Sequence, residues 1–435
     1  MLIEFHVGNY RSFKDPVTFS MTVAKLRAKN KELDANNVFA VTNSISLLKS
    51  SVIYGANASG KSNLIKAIAF MRRFVLESAK ESQATDPIDV DSFKLHVDTE
   101  HQPSNFEVIF FLDGKQYRYG FEADAKRVHS EWLYHVPEKR ESNLFVREND
   151  EFSLSRVFRE GKGVVEQNLT RPNALFLSVV AQFNGPISKS ILEWFENHLN
   201  VISGLSDEGY GFFTMNHVEK GILKDEIISL VKRMDLGISD IKIVSTSLSE
   251  ADLPEELKQH MKSLSRKRGE DDPNLLSVNT LHKKYGNRSV PASVIFNLDD
   301  NESEGTKKLF YLSGPLLHTL QSGEVLIVDE LDARLHPLIT HAIIQLFHSK
   351  KTNPKNAQLI FATHDTNLLS NEFFRRDQIW FTEKDRYGAT DLYSLAEYKV
   401  RNDASFEKDY IAGRYGAIPF LSRFGSLMGD DDGEA

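Results

Sequence analysis

The chain has 435 residues and a formal net charge of −8, from 53 Lys and Arg against 61 Asp and Glu. That balance excludes a globally basic nucleic-acid coat while leaving a local basic groove open. The absence of cysteine excludes disulfides, thiolate metal sites and cysteine nucleophiles, and fits a reducing compartment. With 41% hydrophobic and 26% charged residues the composition is that of a globular protein with a sizeable core. The start carries Glu4 and no apolar run of signal-peptide type, and no apolar stretch is long enough to span a bilayer, so a soluble cytoplasmic protein away from membranes is expected.

In chain order, Leu2 to Val7 alternates apolar and polar residues as an antiparallel strand does. The apolar run Ser51-Val52-Ile53-Tyr54 enters a glycine-rich turn, and a helix is predicted from Lys61 to about Lys80, with Leu64, Ile65, Ile68, Met71 and Val75 on its buried face. Phe106 to Phe111 runs into Asp113-Gly114, the favoured hairpin pair, and Gln116 to Phe121 returns. Residues 137–170 read as further hairpins and loops. Beyond Asn184-Gly185-Pro186 the period becomes helical, with Ile187, Ile191, Leu192, Phe195, Leu199 and Ile202 on one face and a second helix over Ile222 to Met234.

The stretch 263–274 reads as an exposed, solvated loop whose Arg266-Lys267-Arg268 cluster could alternatively meet phosphate backbones. After Val290 an α/β pattern returns: helix 304–321, strand 324–328, helix 337–348, strand 357–362 and a last strand near 378–382. The acidic end Gly-Asp-Asp-Asp-Gly-Glu-Ala is expected to be disordered. No repeat and no extended heptad run is visible.

Gly55-Ala56-Asn57-Ala58-Ser59-Gly60-Lys61-Ser62 satisfies G-x-x-x-x-G-K-S between an apolar strand and an apolar-faced helix. Its glycines let the backbone wrap an anion, and successive N–H groups and the helix N-terminus supply positive potential. Lys61 adds a full charge toward the β- and γ-phosphates. Ser62 is expected to place its hydroxyl on Mg²⁺, and Asn63 follows inside the same nucleotide-binding turn. Farther along, Val325-Leu326-Ile327-Val328 ends in Asp329-Glu330. Asp329 faces the hydrated Mg²⁺ on this reading, and Glu330 polarises the water that attacks the γ-phosphate. A third strand, Gln358 to Thr363, ends at His364-Asp365, and His364 can donate to the γ-phosphate and report its presence. His336, His341 and His348 read as surface or packing residues.

These pieces, in this order and with more than half the chain between the first two, resemble the ABC-type ATPase heads of the RecF, SMC and OLD group. The resemblance is closest to its RloA-like prokaryotic branch, often found in phage-defence operons. It is carried by Asn9-Tyr10-Arg11-Ser12-Phe13, the phosphate loop, Glu304 to Phe310, Asp329-Glu330-Leu331-Asp332 with Leu335-His336-Pro337, Thr363-His364-Asp365, and Gly413 to Phe420. The resemblance implies an α/β ABC-ATPase head with a mixed sheet and an antiparallel β lobe. It further implies that two heads meet head to tail around ATP and Mg²⁺, one copy's signature capping the γ-phosphate held by the other. Ser303-Glu304-Gly305-Thr306 is the matching segment, so Ser303 and Gly305 are the expected capping residues; Glu304 stands where the family commonly has glycine. Arg11 resembles an arginine that contacts nucleotide phosphate, and Asp332 an aspartate that contacts the dimer partner. The glutamine expected between the lobes has two candidates, Gln102 and Gln116, neither assigned.

Residues 1–185 and 291–435 are expected to form the head, and 186–290 a mostly helical insertion that recruits a partner or DNA. SMC proteins need long heptad arms, which are absent here. OLD nucleases append a metal-dependent domain, for which the stretch after His364 is short. A nuclease or toxin activity is therefore expected in a separate effector. The leading expectation is a homodimerising ATPase that acts as a switch on that effector in antiphage defence, the alternative a RecF-like ATPase that clamps DNA in repair. A transporter subunit fits less well, because its signature follows the phosphate loop much sooner.

Overall fold

The computed structural model describes residues 1–26, 29, 31–138, 140–206, 208–234, 237–251, 253–266, 274–285, 292–401 and 404–419. Lys267 and Arg268 of the basic cluster, Phe420 and the acidic C-terminal stretch lie outside the described residues. Contact density divides the chain into two compact units. The first comprises residues 1–201, 323–331 and 344–435, the second residues 202–322 and 332–343.

Two sheets build the first unit. One is seven-stranded, in the order β10-β9-β8-β7-β6-β1-β2, from β1 (Leu2–Gly8), β2 (Val17–Ser20), β6 (Ser104–Leu112), β7 (Lys115–Ala123), β8 (Val128–Val136), β9 (Ser142–Glu148) and β10 (Glu151–Leu154). All its pairings are antiparallel. Burial in β6 alternates between buried and half-buried positions, because one face meets the main core and the other carries Ile109 and Phe111 against a smaller cluster with Ile3, Phe39 and Leu47. Asp113 and Gly114 both take positive φ, 48° and 77°, the twist a two-residue hairpin turn requires. A short hairpin, β3 (Val38–Ala40) with β4 (Ser46–Leu48), forms a sheet of its own whose Phe39 and Leu47 pack with Ile3, Ile109 and Phe111.

The other sheet has six strands in the order β11-β15-β16-β5-β17-β18, formed by β5 (Ser50–Tyr54), β11 (Leu199–Ser203), β15 (Val325–Asp329), β16 (Gln358–Ala362), β17 (Ile379–Lys384) and β18 (Thr390–Ser394). Strands β15, β16, β5 and β17 run parallel, and β18 returns antiparallel at the edge. Every residue of β5 and β16 is buried, which explains the consecutive apolar residues Val52-Ile53-Tyr54 and Leu359-Ile360-Phe361-Ala362: a central parallel strand is covered on both faces. The helix Lys61–Glu77 packs Leu64, Ile65, Ile68, Met71 and Val75 into a core shared by both sheets.

The segment 186–290 enters both units. The helix Pro186–Glu193 and the turn after it bury Ile191, Trp194 and Phe195 in the first unit's core, where Trp194 stacks on Phe110 at 4.1 Å between ring centres. The second unit then holds the helices Glu208–Glu219, Lys224–Arg233 and Glu255–Arg266. It also contains an antiparallel sheet of β12 (Ile238–Ser247), β13 (Asn274–Lys284) and β14 (Ala292–Asn297), so strand content joins the helices anticipated there. The long helix Glu304–Ser322 carries Pro315 in its interior. Proline has no N–H for the Tyr311 carbonyl four residues back, and the Thr214 hydroxyl donates to that carbonyl instead, which keeps the helix satisfied.

Candidate nucleotide site

Parallel strands deliver their carboxyl ends to one edge of a sheet, and the loops that follow meet there. The register makes this concrete. Val328 on β15 pairs with Phe361 on β16, Phe361 with Val52 and Ala362 with Ile53 on β5, and Tyr54 with Phe381 on β17. Asp329, Thr363 and Gly55 therefore emerge at the same edge, each one residue further along than the last, with β16 inserted between the acidic strand and the glycine loop; adjacent strands lie about 4.8 Å apart. Two bonds extend the row past the strands, Leu331 N–H to the Ala362 carbonyl at 3.1 Å and Thr363 N–H to the Ile53 carbonyl at 3.2 Å.

Gly55 to Ser59 line a cavity of about 550 Å³ together with Thr363, His364, Thr382, Glu383 and Lys384. Gly60 begins the helix Lys61–Glu77 at φ 121°, and no side chain caps that helix. Uncapped first-turn N–H groups together with the helix dipole suit a phosphate. Lys61 is buried, its ammonium donating to the carbonyls of Gly55 at 2.8 Å and Ala56 at 3.1 Å, so the charge sits inside the loop. Ser62 is half-buried in the first turn. Asn63 donates through Nδ2 to Ser12 Oγ at 2.8 Å, tying the helix to the turn after β1.

Asn57 and Ala58 are exposed, Ala56 half-buried and Ser59 buried. Ala58, Glu330 and Arg11 all hold positive φ, at 61°, 54° and 50°. Non-glycine residues there cost on the order of 1 kcal/mol or more and gather where a fold over-determines them for function. Arg11 donates to Asp91 at 3.1 Å and to the Tyr10 hydroxyl at 3.1 Å. Asp329 is half-buried, yet its Oδ1 is buried and without a hydrogen-bond partner, an arrangement a hydrated cation would satisfy. His364 is exposed at the wall of the cavity.

Ser303 and Gly305 lie in the second unit. Ser303 caps the helix Glu304–Ser322, its Oγ accepting from Thr306 N–H at 3.2 Å and lying 2.9 Å from Thr306 Oγ1. Glu304 bridges Arg334 at 2.7 Å and Lys307 at 3.0 Å, and those cations hold its carboxyl below the usual range, the Lys307 hydrogen bond foremost. Glutamate at this position thus serves to join the helix start to the loop of Arg334. Asp332 also belongs to the second unit, with Oδ1 buried and unpartnered.

Several residues around the loop carried no sequence signal. Thr382 and Thr390 touch Ser59, and Ser12 holds Asn63. Three tyrosines fix the C-terminal turn beside the cavity: Tyr393 and Tyr398 donate to the Tyr415 carbonyl, and Tyr410 to that of Ala417. Burial pushes the Tyr410 hydroxyl up to about 12, and that of Tyr393 higher still with help from Glu383, so both act as donors at neutral pH. Of the motif Gly413 to Phe420, Ala417, Ile418 and Pro419 line the cavity, a placement the sequence does not signal.

A profile of the family described as "AAA domain, putative AbiEii toxin, Type IV TA system" matches residues 50–370. The chain belongs to this family. As a member of this AAA-domain family it is a P-loop ATPase by class, of α/β fold with an antiparallel β lobe. No curated protein matches the chain. Among solved structures it is similar to the SMC head domain from Thermotoga maritima, at 13% identity over 90% of this chain and 98% of that one, TM-score 0.38. It is also similar to an Smc head domain with an extended coiled coil bound to the C-terminal domain of ScpA from Pyrococcus furiosus, at 12% identity over 95% and 98%, TM-score 0.35. CbiO1 from Clostridium perfringens, part of the ABC transporter complex cbiONQ, gives 10% identity over 95% and 92%, TM-score 0.29. Among the described residues no helix is long and apolar enough to cross a membrane.

Proposed function

We propose that this AAA-domain protein binds and hydrolyses ATP with Mg²⁺ and uses the nucleotide-driven meeting of two copies as a cytoplasmic switch on a separate effector, in defence against phage. The observation that carries the reading is the common edge reached by the glycine loop, Asp329-Glu330 and Thr363-His364 at the ends of three neighbouring parallel strands. On this reading the N–H groups from Gly55 to Asn63 cradle the phosphates, Lys61 turns its ammonium from the loop carbonyls to the β/γ-phosphates, and Arg11 adds a second cation. Ser62 and Asp329 hold Mg²⁺, which when bound neutralises phosphate charge. Glu330 accepts the proton of the attacking water, and His364 donates to the γ-phosphate. Phosphoryl transfer is mostly positioning and electrostatics, so these groups suffice once water is ordered.

Ser303 and Gly305, at the start of a helix in the second unit, suit an anion cap, and we assign them to the γ-phosphate held by the facing copy. Residues 1–185 and 291–435 serve as the head, and the part of 186–290 beyond Val201 recruits the effector. Membership of a family described as a putative AbiEii toxin of a type IV toxin–antitoxin system supports a defence setting. Turnover of Mg-ATP by the purified protein, lost in Lys61→Ala, tests the reading; equal turnover in both proteins defeats it. Salt-dependent duplex binding without a co-purifying protein would favour the RecF-like alternative instead.

A further inference from the structure

We propose that Thr382 and Thr390 are positioning residues that set the shape of the phosphate loop; the proposal rests on the nucleotide reading above. Thr382 ends up beside the loop because β17 pairs with β5, and Thr390 because β18 turns back along β17. Both are buried, as is Ser59 between them. The Thr390 hydroxyl donates to the Ser59 carbonyl at 2.8 Å, and its N–H donates to the Ser12 carbonyl at 2.7 Å. Thr382 Oγ1 lies 2.6 Å from Ser59 Oγ and donates to the Tyr54 carbonyl at 3.4 Å.

A trans peptide is planar, with its C=O and N–H pointing to opposite sides. By holding the Ser59 carbonyl, Thr390 turns the N–H of Gly60 away from the hairpin; by holding the Tyr54 carbonyl, Thr382 does the same to the N–H of Gly55. Two N–H groups that the nucleotide reading gives to the phosphates are thus aimed by threonine hydroxyls held on the loop's carbonyls. The two glycines of the motif are where the threonines come closest. A Cβ on Gly55 would lie 2.5 Å from Thr382 Oγ1, and one on Gly60 2.6 Å from Thr390 Oγ1, and both glycines hold positive φ that other residues rarely adopt.

The hydroxyl, not the bulk, carries this role, so valine and serine separate it from packing. In the full chain, at a temperature where circular dichroism shows each variant folded, Thr390→Val should raise the Kd for Mg-ATP and for Mg-tripolyphosphate about ten-fold alike, and Thr390→Ser should restore both to within roughly two-fold. Thr390→Val binding like the wild type, or Thr390→Ser failing to rescue, overturns the proposal. A wild-type protein that binds neither ligand and matches Lys61→Ala instead overturns the nucleotide reading itself. Should Thr390→Val not fold, a cycle of Ser59→Ala with Thr382→Val decides: losses in Mg-ATP affinity well short of additive support the clamp, and additive losses overturn it.

Discussion

The two sheets of the first unit bury comparable apolar strands and use them for opposite ends. In the parallel sheet the inner strands β5 and β16 are buried throughout, so their carboxyl ends are what is left for chemistry, and at that edge the polar groups collect: Lys61 under loop carbonyls, Asp329 with an unpartnered oxygen, His364 at a cavity wall. The antiparallel lobe keeps its costliest polar groups inside. Glu131 is completely buried, accepting from Phe176 N–H at 2.6 Å, Leu177 N–H at 2.9 Å and the Tyr119 hydroxyl at 3.0 Å, with Arg147 3.7 Å away. Burial drives the Glu131 carboxyl above the usual carboxylate range and the Arg147 guanidinium below its own, and the surrounding donors offset that cost. A carboxylate is thus left with an unpartnered oxygen at Asp329, where a ligand is expected, and saturated at Glu131, where the fold is being joined.

Substitutions can break this contrast. The largest effect is expected at Lys61→Ala, which removes the only full charge inside the loop among the described residues and should abolish Mg-ATP binding measured by titration, while the unfolding midpoint moves little. Glu330→Gln should keep binding but lower turnover about 10²–10⁴-fold, the usual worth of a general base, and trap a nucleotide-bound dimer visible by light scattering. In the lobe, Glu131→Ala takes the nearest carboxylate from Arg147 and the acceptor from the N–H groups of Phe176 and Leu177, and should cost about 3–5 kcal/mol in denaturant unfolding while the protein that remains folded binds Mg-ATP normally. The smallest effect belongs to the lobe's surface. Arg118, held by Glu141 and Glu107 and lying 4.2 Å over the Tyr134 ring, should cost no more than about 1 kcal/mol on replacement by alanine, with turnover unchanged. A turnover defect in Glu131→Ala as large as that of Glu330→Gln would erase the distinction between the two sheets.

Legibility followed the range of the chemistry. The phosphate loop declares itself because its glycines, lysine and serine act within one turn, and Asp329-Glu330 and His364 stand out as polar residues ending apolar strands. The hairpin at Asp113-Gly114 was readable for the same local reason. Strands β12 and β14 were not. The burial pattern of β12 is mostly half-buried or exposed, and Val244 and Ile295 stay 39% and 61% exposed, so the alternation that reveals a strand is faint. Thr382 and Thr390 were invisible for another reason: threonine is an ordinary strand residue, and nothing nearby in the sequence marks it as a partner of Ser59.

Composition and motif thus determined that this is an α/β chain with a phosphate loop, an acidic strand end and a histidine strand end, because each of these depends on neighbours along the backbone. Which strands lie side by side, which carboxylate is left with an unpartnered oxygen, and which hydroxyls aim the loop were decided only by tertiary structure. Those properties depend on hydrogen bonds between residues hundreds of positions apart, and a linear pattern carries no record of them.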